Sequence, residues 1–390
     1  MVLSPRIGWG YYPTKVDPKH MVLAPPEQET EARQDNWVQD AFEKKLVSPP
    51  SQESLQQLEA RPFPFGMIVG LDDIKQALIL AAVNPRTGGI VISGRRGTGK
   101  SVLARAVHRL LPPFIERIKG SPYNVDPEGR DGMDSILQEK IVSGKETLQN
   151  METELVPTPF VQIPLNAMED SLLGSVDLEQ SIQRGTPEFS PGLLARAHRG
   201  ILYVDEINLL DEEAANVLLN VIADGYVQIE REGLSLRYPC KPLLIATYNP
   251  QEGELREHLL DRIGVGLSAD MHPLSILDRV KGVENVLGFS GGTKQQFSDK
   301  GKATLERVEE EERELQKAIS YARSILSDVY IDKSQILYLC EEATRAGCEG
   351  QRAEIFATEV AKASAAVRSS AFYCFCIAEY ANAPCTFLLY

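Results

Sequence analysis

The chain has 390 residues, of which 43% are hydrophobic and 25% charged, so it is long enough for two or three globular domains. Its formal net charge of −14 argues against broad, sequence-independent binding to nucleic acid, which requires a basic face. The six cysteines and five histidines have neither the arrangement of a disulfide framework nor the spacing of a zinc site. No apolar stretch is long and clean enough to predict a transmembrane helix.

Residues 1–60 are rich in Pro, Gln and Glu and predict an extended or partly helical leader. The first 26 residues lack the continuous apolar core of a secretory signal. They contain three Lys or Arg residues against one acid, Asp17, a balance weakly similar to that of a plastid or mitochondrial transit peptide.

Residues 61–273 alternate short apolar runs with helical patterns, which is typical of an α/β domain whose parallel sheet is covered by helices on both faces. One predicted helix covers 100–111, and another is capped by Asp211 and ends at Gly225. The irregular region 119–155 predicts a surface insertion. The predicted strands are residues 89–93, 160–163, 201–204 and 243–246.

Two further segments look inserted into this α/β domain. Residues 166–184 contain a turn at Leu173-Gly174-Ser175 that we expect to be flexible. Residues 226–237 alternate polar and apolar side chains around Glu232-Gly233 and predict a β-hairpin. Each segment either contacts a partner or decorates an edge, and the pattern leaves both alternatives open.

From about residue 274 the pattern becomes helical and predicts a small all-helical lid domain over 274–366. A long amphipathic stripe runs from Leu305 to Leu326, and the acidic run Glu309 to Glu312 interrupts it. Two further helices are predicted at 334–346 and 351–367, and residues 367–390 form an atypical tail.

One eight-residue motif matches G-x-x-x-x-G-K-[ST] in full: Gly94-Arg95-Arg96-Gly97-Thr98-Gly99-Lys100-Ser101. A strand precedes it and a helix follows it, so backbone N–H groups and the positive end of the helix would face the phosphates of a nucleotide. Lys100 is predicted to contact the β- and γ-phosphates, and Ser101 to bind Mg²⁺. The alternative is an ordinary glycine-rich turn, and roughly one random chain in a hundred of this length carries the motif by accident.

Polar residues follow two other predicted strands. Asp205 and Glu206 come directly after the run 201–204, where Asp205 suits the magnesium shell and Glu206 the activation of the attacking water. A helix cap is the alternative explanation of this pair. Asn249 follows the run 243–246 and can hydrogen-bond the water or the γ-phosphate, but an Asn-Pro turn explains it equally well.

Arg262 and Arg352 are candidates by position alone. Arginine stabilises charge on a transferring phosphoryl group and is worth about 10³ to 10⁵ in rate where it does so. A surface salt bridge is the alternative for both.

Together these residues resemble the AAA+ subunits of magnesium chelatase, the enzyme that inserts Mg²⁺ into protoporphyrin IX for chlorophyll synthesis. The resemblance spans about residues 61–366. The segments that carry it are FPF…VG at 63–70, GRRGTGKS at 94–101, the stretch 160–174, AHRGILYVDEINLLDE at 197–212, EREG at 230–233 and CKPLLIATYNPQEGELREHLLDRI at 240–263.

The resemblance implies an AAA+ P-loop NTPase that uses ATP and Mg²⁺. It also implies a hexameric ring with the I subunit of the enzyme, action on its porphyrin-binding H subunit, and a location in the chloroplast stroma or a bacterial cytoplasm. The implied residue roles are Walker A for Lys100 and Ser101, Walker B for Asp205 and Glu206, sensor 1 for Asn249, the arginine finger offered to a neighbouring subunit for Arg262, and sensor 2 for Arg352.

Within this family, four features look like the larger D subunit rather than the smaller I subunit: Arg95, Cys240-Lys241-Pro242, Tyr248 and Arg256-Glu257-His258. A D subunit normally continues into an integrin-like domain with a D-x-S-x-S metal site, a motif that this sequence does not contain. The family pattern is lost from about Val367, so we expect a truncated or mis-spliced product. The alternatives are the I subunit, a non-hydrolysing assembly platform and a chaperone of the MoxR type.

Overall fold

The computed structural model describes residues 47–48, 62–129, 131–143, 150–185, 188–231, 234–271, 273–290, 299–348 and 350–369. The predicted leader, apart from residues 47–48, and the predicted tail beyond residue 369 lie outside the described residues. The strands are β1 Val47–Ser48, β2 Ile90–Ser93, β3 Phe114–Ile118, β4 Thr153–Pro157, β5 Phe160–Ile163, β6 Gly174–Asp177, β7 Glu188–Pro191, β8 Ile201–Val204, β9 Tyr226–Arg231, β10 Leu234–Pro239, β11 Leu243–Tyr248 and β12 Val265–Ser268. The helices are α1 Asp72–Val83, α2 Lys100–Ala106, α3 Ser135–Val142, α4 Glu169–Leu173, α5 Leu178–Arg184, α6 Leu193–Ala197, α7 Glu212–Asp224, α8 Glu257–Leu260, α9 Ile276–Ser290, α10 Asp299–Ile325, α11 Lys333–Arg345 and α12 Arg352–Ser369.

The central sheet has five parallel strands in the order β12-β2-β11-β8-β5, which confirms the predicted α/β fold. Strand β11 lies between β2 and β8, and its register pairs Tyr248 with Ser93 and Ala246 with Val204. The residues that directly follow these three strands therefore meet at the carboxyl edge of the sheet, where α/β proteins bind ligands.

Both faces of this sheet are buried, and alternate residues of each strand serve opposite faces. Leu202 and Val204 of β8 belong to one hydrophobic cluster, together with Leu218 of α7. Ile201 and Tyr203 belong to the other, together with Leu78 of α1. Burial on both faces explains why these strands read as continuous apolar runs.

The C-terminal helices pack against α1. Ala322 of α10 and Ala363 of α12 are fully buried in the same cluster as Leu78. Small side chains at these positions allow the helices to approach one another closely. The predicted domain boundary at residue 273 stays a prediction.

The acidic run does not interrupt α10, which is continuous from Asp299 to Ile325. Glu312 is only 6% exposed because it pairs with Arg109, whereas Glu310 and Glu311 lie at the surface. The acidic run therefore places a charged residue, Glu312, on the buried face of the stripe, while the helix itself continues through the run.

The region 119–155 is not a surface insertion, and this prediction was wrong. Tyr123, Leu137 and Met151 are each at most 6% exposed and belong to the same cluster as the sheet. The ring of Tyr123 stacks on that of Tyr238 in β10, with 4.5 Å between the ring centroids. The helical and apolar runs of this region are short and are separated by Gly and Asp residues. Hydrophobic periodicity therefore did not identify its core residues.

The hairpin prediction is confirmed, since β9 and β10 pair antiparallel. The prediction of a flexible turn at Leu173-Gly174-Ser175 is wrong, because Gly174 begins β6 and pairs with Pro191 of β7. A Cβ at Gly174 would lie 2.5 Å from the backbone oxygen of Ser190. Glycine is thus required here by close packing rather than by mobility.

Helix α2 ends at Ala106 and continues as one 3-10 turn at Val107–Leu110. Val102, predicted on the buried face, is 45% exposed, whereas Leu103, Ala106 and Val107 are buried as expected. Within the described residues, none of the helices is sufficiently long and apolar to traverse a membrane.

Candidate functional site

The loop between β2 and α2 exposes bare backbone beside open space. Gly97 and Gly99 adopt φ of 81° and 83°, and a Cβ at either position would meet no atom within 4 Å. Gly99 precedes α2 without any side-chain cap, which leaves the first N–H groups of the helix available. Such a concave backbone with free donors suits an anion.

Lys100 lies inside this loop. Its Nζ donates to the backbone oxygens of Gly94 and, at 2.7 Å, Arg95, and it lies 3.4 Å from Oγ1 of Thr98. Burial lowers the pKa of Lys100, while the carboxylates of Asp270 and Asp205 oppose this shift. Lys100 therefore places a positive charge at the centre of the loop. Its present partners are backbone carbonyl oxygens, which the oxygens of a phosphate can replace.

Side chains from three elements meet at the carboxyl edge of the sheet. Oγ of Ser101 lies 3.5 Å from Oδ1 of Asp205, which also accepts a 2.6 Å hydrogen bond from Oγ1 of Thr247. The hydroxyl of Tyr203 lies 3.3 Å from the same Thr247 oxygen. No motif indicated Thr247 as a site residue. Thr247 reaches Asp205 because β11 lies between β2 and β8 in the sheet.

Glu206 has the left-handed backbone conformation, with φ of 50° and ψ of 52°. This conformation is strained for a residue with a side chain and is frequent at functional sites. Its carboxylate makes no cap hydrogen bond to the short 3-10 helix Ile207–Leu209 that follows. The helix-cap alternative for Glu206 therefore finds no support.

Asn249 is 5% exposed and engages both ends of its amide. Oδ1 accepts a 3.2 Å hydrogen bond from the N–H of Gln251, as the Asn-Pro turn alternative requires. Nδ2 donates to Oε1 of Glu252 at 2.8 Å, and Nε of Arg96 lies 2.6 Å from the same oxygen. Asn249 is thus connected to the phosphate-binding loop through Glu252, a residue that the motifs did not indicate.

Arg262 and Arg352 contact residues outside the loop. Arg262 donates to Oδ1 of Asn220 on α7, and Arg352 pairs with Asp261. No hydrogen bond or ion pair joins either arginine to residues 94–101 or Asp205 in the described part of the chain. The pair of Arg352 is the surface salt bridge that the alternative predicts, whereas Arg262 bonds a neutral amide.

A cavity of about 260 Å³ opens beside the loop, between the start of α1 and the segment that follows β12. It lies next to the loop because the segment that follows β12 also contacts the loop. The N–H of Arg95 donates to Asp270 at 3.1 Å, and Gly94 lies so close to Ala269 that a Cβ at Gly94 would be 3.0 Å from the Ala269 side chain. The lining of the cavity is part apolar and part acidic: Gly70, Leu71, Asp72, Asp73, Ile74, Ser268, Ala269, Pro273, Leu274 and Asp278.

Comparison with known proteins assigns the family. The family model described as magnesium chelatase, subunit ChlI, matches residues 133–262. The magnesium-chelatase 38 kDa subunit of Chlorobaculum tepidum is 37% identical over 326 residues, which cover 83% of this chain and 79% of that protein. This chain belongs to the magnesium chelatase family. The chloroplastic magnesium-chelatase subunit ChlI of Glycine max is 40% identical over 306 residues, covering 78% of this chain and 69% of that protein.

Two further family members complete the comparison. The magnesium-chelatase 67 kDa subunit of Heliobacterium mobile is 37% identical over 311 residues, which cover 79% of this chain but 45% of that protein. The solved complex between subunits BchI and BchD of magnesium chelatase includes a chain that is 36% identical, with a TM-score of 0.47 and coverage of 80% of this chain and 90% of that one. The expected assignment to the D subunit is not confirmed, because the family model and the chloroplastic relative are described as ChlI.

Proposed function

We propose that this chain is an ATP-binding and ATP-hydrolysing AAA+ subunit of I type, which supports the ATP-driven insertion of Mg²⁺ into protoporphyrin IX in chlorophyll biosynthesis. The observation that carries the proposal is the meeting of Lys100, Ser101 and Asp205 at one edge of the sheet, with Thr247 fixing the carboxylate. The relatives named as ChlI and 38 kDa subunits, which this chain covers over 69 to 85% of their length, support the I type.

The oxygen donors present fit the Mg²⁺ of Mg-ATP. A hydroxyl and a carboxylate oxygen lie 3.5 Å apart at Ser101 and Asp205, and Mg²⁺ typically takes one or two protein oxygens and completes its shell with phosphate and water. No group of three or more His, Cys, Asp or Glu that would enclose a metal occurs among the described residues, which suits such an open site. Mg²⁺ there supplies charge neutralisation on the phosphoryl oxygens.

The residues of the chain then have separate tasks. The loop backbone at Gly97 and Gly99 receives the phosphates, and Lys100 exchanges its carbonyl partners for phosphate oxygens. Glu206, with a carboxylate free of capping, accepts a proton from the attacking water. Asn249 has a second amide N–H to direct at that water or at the γ-phosphate.

Two arginines would act on phosphate charge from outside the loop. Arg262 is bound to Asn220 and not to the loop of its own chain, which suits an arginine finger that serves a neighbouring subunit. Arg352 would leave Asp261 to act as sensor 2. These roles require a ring, which we propose to be hexameric, formed with other AAA+ subunits of the enzyme and acting on its porphyrin-binding H subunit.

The cavity beside the loop would receive the base of the nucleotide. Its apolar side chains, Leu71, Ile74 and Leu274, can contact the faces of a purine ring, and its volume of about 260 Å³ suits a group of that size. We place the protein in the chloroplast stroma or in a bacterial cytoplasm, since the relatives of Glycine max and Arabidopsis thaliana are named as chloroplastic and that of Chlorobaculum tepidum is bacterial.

Nucleotide binding and hydrolysis by the purified chain test this proposal. The chain would be titrated with a fluorescent ATP analogue, and phosphate release would be followed. We expect Lys100→Ala to weaken binding at least 10-fold, roughly the worth of one charge-assisted contact, and Glu206→Gln to retain binding while slowing hydrolysis about 100-fold. Lys119→Ala removes a surface lysine, 50% exposed and paired with Glu152, and serves as the control. Binding that is the same for Lys100→Ala and Lys119→Ala would contradict the proposal.

A D-type assembly platform is the second candidate. It is favoured by Arg95, Cys240-Lys241-Pro242, Tyr248 and Arg256-Glu257-His258. Reconstitution separates the two types: the chain would be added to chelatase mixtures lacking either the I or the D subunit, and formation of Mg-protoporphyrin would be measured. Restored chelation in the mixture without I supports the I type, whereas restoration only in the mixture without D supports the platform.

A further inference from the structure

Glu252 lies between the phosphate-binding loop and Asn249. One carboxylate oxygen, Oε1, accepts from Nδ2 of Asn249 at 2.8 Å and pairs with Nε of Arg96 at 2.6 Å. We propose that Glu252 is a positioning residue for γ-phosphate recognition, which fixes the amide of Asn249 and ties it to the loop through Arg96. This inference rests on the proposed function, since it concerns the same nucleotide site.

Two hydrogen bonds fix the orientation of the Asn249 amide. An asparagine amide can be reversed, and its two hydrogen bonds decide which end carries the N–H groups. Here Oδ1 accepts from the N–H of Gln251 and Nδ2 donates to Glu252, so both bonds select the same orientation. One N–H of Nδ2 remains for a phosphate oxygen or the attacking water.

The same carboxylate oxygen of Glu252 also contacts the phosphate-binding loop. The side chain of Arg96 is 78% exposed, and its bond to Glu252 joins the middle of the loop to the end of β11. A hydrogen-bond network with a shared acceptor transmits a displacement of one member to the others. Movement of the loop upon nucleotide binding would therefore reach Asn249.

The other carboxylate oxygen of Glu252, Oε2, is buried and has no hydrogen-bond partner among the described residues. Leaving a buried carboxylate oxygen unpaired costs stability, so stabilisation of its own turn explains Glu252 poorly. The hydrogen bond from Asn249 lowers the pKa of Glu252 despite partial burial, and the charges of Arg96 and Lys100 add to this shift. The carboxylate is thus ionised at neutral pH.

The competing explanation is local: Glu252 ends the 3-10 turn Pro250–Glu252 and would merely stabilise it. A structural role of this kind affects ADP and ATP alike, because both nucleotides use the same loop. A positioning role affects the γ-phosphate alone. The ratio of ADP to ATP affinity therefore separates the two explanations.

The experiment measures the dissociation constants of ADP and of ATPγS by calorimetry for the full chain, with kcat and KM for ATP hydrolysis alongside. For Glu252→Ala we expect ATPγS to bind about 5- to 10-fold more weakly, the worth of one hydrogen bond to a charged group, with ADP affinity within about 2-fold of the wild type. We expect kcat to fall more than KM rises. Glu252→Gln retains an acceptor for Asn249 and should recover most of the loss.

A double variant and a control complete the test. Asn249→Ala combined with Glu252→Ala should bind ATPγS no more weakly than Asn249→Ala alone, because Glu252 acts through Asn249. Glu254→Ala, an exposed acid two residues away, should leave all constants unchanged. Equal losses for ADP and ATPγS, or independent losses that multiply in the double variant, would overturn the inference. Absence of nucleotide binding in the wild-type chain would instead contradict the proposed function.

Discussion

Arg109 pairs through two nitrogen atoms with Glu312. Arg109 lies in the 3-10 turn Val107–Leu110 that continues α2, and Glu312 lies in α10. Nε and Nη2 of Arg109 both lie 2.7 Å from Oε2 of Glu312, and the two side chains are 10% and 7% exposed. Arg109 also donates to the backbone oxygen of Pro62, and the other oxygen of Glu312 accepts from the N–H of Gly66. The pair thus joins three segments of the chain that are distant in sequence.

We expect Glu312→Ala to lower the free energy of unfolding by about 3 kcal/mol, because the buried guanidinium of Arg109 then keeps only a 3.9 Å ion pair with Glu309 and its hydrogen bond to Pro62. Urea unfolding followed by circular dichroism measures this change. Glu310→Ala is the matched control, since Glu310 belongs to the same acidic run but is 58% exposed in its pair with Arg313, and it should cost less than about 1 kcal/mol. Equal losses for the two variants would show that the buried pair contributes no more than the exposed one.

Thr247→Val should weaken the binding of Mg²⁺ at the site without altering the packing of β11. The variant keeps the shape of a side chain that is 1% exposed but removes the 2.6 Å hydrogen bond to Asp205. We expect the Mg²⁺ concentration that half-saturates ATP hydrolysis to rise about 10-fold, as is usual when a partner of a metal ligand is lost.

The comparison for this prediction is Tyr203→Phe. It removes a hydroxyl that lies 3.3 Å from Oγ1 of Thr247 and also hydrogen-bonds Ser101 and Asp205, and it leaves the bond between Thr247 and Asp205 in place. Its half-saturating Mg²⁺ concentration should rise less than that of Thr247→Val. A shift of the same size in both variants would mean that the hydroxyl network, rather than the bond to Asp205, sets the Mg²⁺ requirement.

Stability should fall in mild acid because of His198. Burial, with added repulsion from Arg199 and Lys241, lowers the pKa of His198 to about 3 from its ordinary value of 6.5. The unfolded chain therefore binds the proton first, and the stability that the neutral imidazole contributes is present above pH 6.5 and is lost progressively as the pH falls towards 3. This loss amounts to about 2 kcal/mol between pH 7 and pH 5.

Urea unfolding of the wild type and of His198→Asn at both pH values measures this effect. The asparagine oxygen can replace Nδ1 as acceptor for the N–H of Lys241, a 3.1 Å bond in the structure, and it does not titrate. The stability of the wild type relative to the variant should decrease by about 2 kcal/mol on acidification. A difference that is independent of pH would exclude His198 as the cause.

Gly70→Ala should weaken nucleotide binding through the cavity beside the loop. Gly70 has φ of 71°, and a Cβ there would overlap the side chain of Leu274 on the opposite wall. We expect the affinity for the fluorescent ATP analogue to fall about 5-fold, since backbone strain of about 1 kcal/mol adds to the displacement of Leu274. Gly282→Ala is the comparison, because a Cβ at that helical glycine meets no atom within 4 Å, and it should bind as the wild type does. Unchanged affinity in Gly70→Ala would separate this cavity from the nucleotide site.

Elements whose signals are local could be predicted from the amino-acid sequence. The motif from Gly94 to Ser101, the strand before Asp205 and the hairpin at β9–β10 are each encoded by neighbouring residues, since glycine conformation and apolar alternation act over a few positions. Parallel strands buried on both faces read as continuous apolar runs, so the α/β fold was also predictable. The assignment of Arg262 and Arg352 to functions, by contrast, rested on resemblance and stays a prediction.

Tertiary structure alone decided which residues meet. Thr247 contacts Asp205 because β11 inserts between β2 and β8, an order that no local pattern specifies. Glu252 joins Arg96 to Asn249, although Arg96 is distant in sequence and hydrophobic periodicity relates only neighbouring residues. Glu312 is buried because it pairs with Arg109. A charged residue is exposed or buried according to its partner, and partners distant in the chain are brought together by the fold.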